Sequence, residues 1–128
     1  MIGNLKIDQR ATFAGLVFLS CEAKREMGSD RQATTKDGQL KWEVQVLGAV
    51  RNQFGQLSNE VIKVGIVARQ NPAEGIAPFT PCELGDFEVG VMEKTKKNPD
   101  GTERIVGVTV WFRATEIVLA AGAAGKAA

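Results

Sequence analysis

The side chains in this sequence that could do chemistry are cationic and aromatic, and they come in groups. Lys24, Arg25, Arg31, Lys36 and Lys41 surround one polar stretch, offset only by Glu26, Asp30 and Asp37. Lys94, Lys96, Lys97 and Arg104 flank a second stretch, offset by Asp100 and Glu103. Lys63, Arg69 and Arg113 add single cations between and after them. Guanidinium and ammonium groups gathered in this way suit phosphate oxygens, Arg as a planar fork and Lys as a point charge. Flat rings near such groups offer stacking surfaces for bases, and the candidates are Trp111, Phe18, Trp42 and Phe54. Trp111 leads them, because it shares a strand face with Thr109 and Arg113. The competing reading is that loop lysines serve solubility and blunt strand edges, and that the rings are core.

Nucleophilic and metal chemistry finds less support. The 128 residues contain no histidine and no tyrosine. That excludes Ser-His and Cys-His pairs, the HExxH zinc site and an imidazole acid or base. The two cysteines, Cys21 and Cys82, lie too far apart for a zinc ribbon and are too few for a disulfide framework. They are expected as small buried hydrophobes. No GxxxxGK[ST] or GxGxxG loop is present to hold a nucleotide. Glu83 and Asp86 flank a turn and read as solvated. The expectation is a protein that is not an enzyme and needs no cofactor.

Elements that would position the basic and aromatic groups follow from a period of two. A first strand spans Thr12 to Glu26, with Phe13, Gly15, Val17, Leu19, Cys21 and Ala23 on one face and Gly15 as a candidate bulge. Residues 27–39 read as a flexible loop ending in an Asp37-Gly38 turn. A second strand, Leu40 to Val50, places Trp42, Val44, Val46 and Val50 together. A third runs from about Glu60 to Arg69, with Ile62, Val64, Ile66 and Ala68 on one side. Pro72, Pro78 and Pro81 make the stretch from Gln70 to Leu84 a crossover with at most one helical turn. A fourth strand, Asp86 to about Lys94, has Phe87, Val89 and Val91 inward. Asn98-Pro-Asp-Gly101 then turns the chain into a fifth, Thr102 to about Ala114, with Val106, Val108, Val110 and Phe112 on one side. Glu116 to Ala121 fits either a continued strand or a short helix. The closing Ala/Gly stretch, 121–128, reads as a tail.

One long bent strand, a middle pair, a crossover and a final hairpin suit an antiparallel barrel better than a seven-stranded sandwich. The predicted fold is therefore all-β: a five-stranded OB-fold-like barrel with long loops, occupying residues 1–120. Lys36-Asp-Gly-Gln-Leu-Lys-Trp-Glu-Val-Gln-Val-Leu47, Leu84-Gly-Asp-Phe-Glu-Val-Gly-Val-Met92 and Asp100 to Ile117 follow in order. Together they resemble the second strand, a later strand and the last hairpin of OB-fold single-stranded-DNA-binding proteins of bacteria, phages and mobile elements. The resemblance covers roughly half the chain. It implies sequence-independent binding of single-stranded DNA in replication, recombination or plasmid or phage DNA transfer. It also implies a strand-two Trp stacked on a base, whereas Trp42 shares the parity of the inward valines. The acidic glycine-rich tail of that family has no counterpart here, and an Ala/Gly stretch with one Lys stands in its place.

Charge leaves a second class open. Sixteen basic and fifteen acidic residues give a net charge of only +1, so a structural or assembly module making protein contacts alone is the alternative. No stretch is apolar for long enough to suggest a membrane span. The first residues lack the apolar run of a signal peptide, which gives the expectation of a cytoplasmic protein. A barrel this small offers a short track, and a homo-oligomer would extend it.

Overall fold

A computed structural model describes residues 4–119; the segment expected as a tail, 121–128, lies outside them. In chain order the elements are β1 (Leu5–Lys6), the one-turn helix α1 (Gln9–Thr12), β2 (Phe13–Ala23) and β3 (Lys41–Arg51). There follow β4 (Leu57–Val67), β5 (Cys82–Gly85), β6 (Glu88–Lys97), β7 (Glu103–Ala114) and β8 (Glu116–Leu119). The chain is all-β. The five predicted strands correspond to β2, β3, β4, β6 and β7, and the short β1 and β5 were not foreseen. Glu116–Leu119, open between strand and helix from sequence, is a strand paired with β5.

Six strands form a curled half-barrel sheet in the order β1-β6-β7-β4-β3-β2, and β5 with β8 forms a separate pair. Every contact in the large sheet is antiparallel except β4–β7, which is parallel and short. It joins only Val64, Gly65 and Ile66 to Phe112, Arg113 and Ala114. Toward their N-terminal ends β4 and β7 part, and residues 57–63 and 103–111 face no strand across the gap among the described residues.

Local chemistry explains the boundaries. Asp8 caps α1, its carboxylate accepting from the Ala11 N–H at 3.1 Å. The Gln9 side chain then fastens α1 to β5, donating to the Leu84 carbonyl at 2.5 Å and accepting from the Leu84 N–H at 2.7 Å. Between β6 and β7, Gly101 takes a φ of 89° that an L side chain resists, while Asp100 Oδ1 accepts from the Thr102 N–H at 3.0 Å. Residues 27–39 are more regular than the loop predicted for them. Arg25–Gln32 and Thr34–Leu40 bridges fold the segment into two small turns, and Lys41 N–H donates to the Ala33 carbonyl at 2.9 Å.

The core collects on the inner side of the curl. Val44 and Val46 from β3 and Ile62, Val64 and Ile66 from β4 are buried, as their alternation predicts. Ala73, Cys82, Leu84 and Phe87 complete it from the crossover side. Phe87 links two other rings, Phe13 at 6.1 Å and Phe112 at 5.8 Å between centroids. In β2 the predicted single parity fails. Register shifts at Phe13/Gly15 and Phe18/Ser20 change which side chains point inward, so Phe13, Leu16 and Phe18 are buried together. Gly15 lies at the first of these shifts. Val91, expected inward, is exposed, and so are Val106, Val108 and Val110 from the side expected to carry Phe112. The β6–β7 hairpin outruns the core, so beyond Phe112 its inner face has nothing to pack against among the described residues.

Burial also decides the cysteines. Cys82 is in the core and its thiol is pushed up to about 11, by desolvation first and by the Glu83 charge second. Cys21 is half-buried, and desolvation raises its thiol as well. A thiol held protonated in a packed core is a poor nucleophile. Folded protein treated with an aromatic disulfide reagent at pH 8 is therefore expected to yield at most one fast-reacting thiol, and two after denaturation. Two fast thiols in the folded protein would contradict the packing around Cys82.

Candidate nucleic-acid interface

Strand alternation sorts the candidate residues onto faces. On β3 the side opposite Val44 and Val46 carries Lys41, Glu43 and Gln45. On β4 the side opposite Val64 carries Val61, Lys63, Gly65 and Val67. Gly65 pairs with Arg113, which continues this outer face onto β7 through Arg113, Trp111 and Thr109. From there β6 adds Gly90, Met92, Lys94 and Lys96, since Gly90 pairs with Trp111 and Lys96 with Arg104. One outer surface thus runs from Lys41 to the hairpin tip.

Trp111 occupies the middle of it. Its ring lies over Gly90, where an added Cβ would fall inside the indole near Cε2, Cζ2 and Nε1. Even so, Trp111 keeps 39% of its surface exposed. Beside it opens a cleft of about 1120 Å³, which enters the gap between β4 and β7. Lys24, Lys41, Lys63, Trp111 and Arg113 all line this cleft.

Ion pairs temper two of these cations. Arg113 donates to Glu88 at 2.6 Å, and this bond holds the Glu88 carboxyl below its ordinary range. Lys63 stands 3.9 Å from Glu43. At the hairpin, Lys94, Lys96, Lys97 and Arg104 are exposed and enter no ion pair among the described residues. They lie past the cleft, on the arm that extends beyond the core. Lys97 and Glu103 form the last pair before the tip. The first loop sits at the other end of β3 and β4, where Lys36, Arg31 and Arg25 are exposed; Arg25 donates to the Asp30 carbonyl at 2.5 Å. Arg69 follows β4 at that same end and is exposed. The two basic clusters therefore occupy opposite ends of the sheet, with Lys63, Trp111 and Arg113 between them.

The other rings separate from Trp111. Phe18 is only 4% exposed and packs in the core, so as a stacking candidate it is corrected by the β2 register shifts. Trp42 is half-buried on the inner parity, with its indole N–H donating to the Ala68 carbonyl at 2.9 Å. Phe54 is 77% exposed at the β3–β4 turn, where Asn52 Oδ1 accepts from its N–H at 2.9 Å. Sequence reasoning missed Gly90, Met92 and Phe79. Aligning the hairpin outward from Asn98–Gly101 would set Gly90 opposite Val110; the register shift between Lys94 and Thr95 is what brings it opposite Trp111, and the sequence carries no signal for that shift. Phe79, bracketed by Pro78 and Pro81, is exposed with a φ of 68° on the flank of β2, outside the cleft. That left-handed conformation is rare for a bulky residue.

Among the described residues no group of three or more His, Cys, Asp or Glu side chains is placed to hold a metal ion. No described helix is long and apolar enough to cross a membrane. Comparison with known proteins matched the chain to no family profile and to no curated protein.

Proposed function

We propose that this protein binds single-stranded DNA without sequence preference, on an OB-type barrel, through the outer face of β3, β4 and β7. The observation that carries the reading is one cleft that brings Lys24, Lys41, Lys63, Trp111 and Arg113 together, with Asp8, Glu43 and Glu60 also on its lining. Cations on a groove wall and an accessible ring beside it are the two components such binding needs. The order β2-β3-β4-β7-β6, with its one parallel contact, supports the barrel assignment, being that of a five-stranded Greek-key barrel. OB barrels hold oligonucleotides on their second and third strands between the first and last loops. Here those parts are β3, β4, the 24–40 loop and the hairpin tip. Phosphates bind the lysines and arginines, and a base stacks on Trp111. The reading places the protein in the cytoplasm, as a homo-oligomer serving replication, recombination or plasmid or phage DNA transfer.

A second reading draws on a different observation. Val91, Ile105, Val106, Val108 and Val110 are all exposed on the hairpin, and an assembly module would use such a surface for protein contacts. Titration with oligo-dT separates the two. Binding at low salt with quenched Trp emission, reversed by added salt, is expected from the first reading. No anisotropy change at low salt would reject it, and concentration-dependent assembly with unchanged emission would favour the second.

A further inference from the structure

We infer that Gly90 is a positioning residue for base stacking: it lets the Trp111 ring lie flat against the sheet with one π-face turned outward. The inference rests on the single-strand-binding reading and deepens it.

Gly90 and Trp111 are direct cross-strand partners. Any other residue at 90 would place its Cβ inside the indole ring, nearest Cε2, Cζ2 and Nε1. The ring would then have to tilt up or swing aside. Gly90 is itself buried although it belongs to an outer strand face, and the ring is what covers it. A tryptophan covering a strand glycine also has a purely structural use, since it fills the space that the missing side chain leaves. Two observations point past that use. Trp111 remains 39% exposed as a residue while its ring covers the glycine, and it borders the cleft shared with Lys63 and Arg113. Stacking needs an open π-face rather than an open edge, and such a contact is worth about 1–3 kcal/mol per base. A ring laid flat on a backbone presents that face before the ligand arrives, so little side-chain freedom is lost on binding. Gly90 acts only through Trp111 in this account. It touches no ligand itself.

Oligo-dT affinity and its salt slope test the inference in the full chain. Gly90→Ala is expected to weaken binding by roughly 5–150-fold, the range that loss of one stacked base implies. Trp111→Ala should do the same, and the double variant should be no worse than Trp111→Ala alone. The salt slope should stay unchanged in all three, because the phosphate contacts remain. Parent-like affinity for Gly90→Ala, additive losses in the double variant, or a reduced salt slope would each overturn the assignment. Should Gly90→Ala fail to fold, NMR of the unaltered protein decides. The Gly90 α-protons beneath the ring are expected at high field, both free and with oligo-dT bound. Loss of that shift on binding would show the ring leaving the glycine and would overturn it too. Absence of any binding by the unaltered protein would instead overturn the single-strand reading, and this inference with it.

Discussion

Replacing Phe87 with Ala is expected to cost the fold about 3–5 kcal/mol, the range for truncating a fully buried aromatic. Phe87 is 2% exposed and is the ring that joins Phe13 to Phe112. It therefore ties the start of β2 to the end of β7, two strands with no hydrogen-bonded contact with each other. Truncation loses the transfer free energy of the ring and leaves a cavity between two neighbours that belong to different strands. Neither can move in without shifting its own sheet register, so collapse should recover little. Urea unfolding measures the effect as a fall in midpoint at unchanged slope. A loss below about 1 kcal/mol would mean that this ring does not hold the curled sheet together.

The second large effect concerns binding. Changing Lys94, Lys96, Lys97 and Arg104 together to Ala should leave the fold intact, because all four are exposed and none enters an ion pair among the described residues. If the hairpin carries DNA phosphates, the variant's log–log salt slope should fall by about 3, at roughly 0.7 per contact on a single strand. Affinity at low salt should drop by two orders of magnitude or more. Circular dichroism guards against misfolding. An unchanged salt slope would return these lysines to a solubility role and confine any binding to the cleft. The two outcomes differ by more than the error of an anisotropy titration.

Much of this architecture is legible in the sequence, for a reason visible in β3 and β4. Each has one wall of the core to itself, so burial alone enforces alternation, and Val44, Val46, Ile62, Val64 and Ile66 all face inward as their spacing predicts. β2 is harder to read because bulges are not written in hydrophobic periodicity. Two register shifts exchange Val17 and Leu19 for Leu16 and Phe18, and with them one stacking candidate disappears into the core. In the hairpin the alternation is correct from Val108 to Phe112, before a register shift leaves Val106 unpaired, but its meaning is not. Val108 and Val110 share the inner parity of Phe112, yet the core ends before it reaches them. Periodicity reports which side a residue is on and says nothing about whether that side is covered. The candidate site follows the same division. The lysines and Trp111 could be named from residue type, whereas Gly90 mattered only once the hairpin register set it beneath an indole.

The reach of the β6–β7 hairpin past the core has a consequence for footprint. From Arg104 to Arg113 the extended β7 backbone covers about 30 Å, at roughly 3.3 Å per residue. Cations mark both ends of that length, with Trp111 close to one of them. On the single-strand reading, this sets a ruler for the ligand. An oligonucleotide too short to span it could occupy the cleft or the arm but not both. Site sizes of roughly 4–16 nucleotides are usual for such barrels, and affinity should climb steeply with length until both ends are engaged and only slowly thereafter.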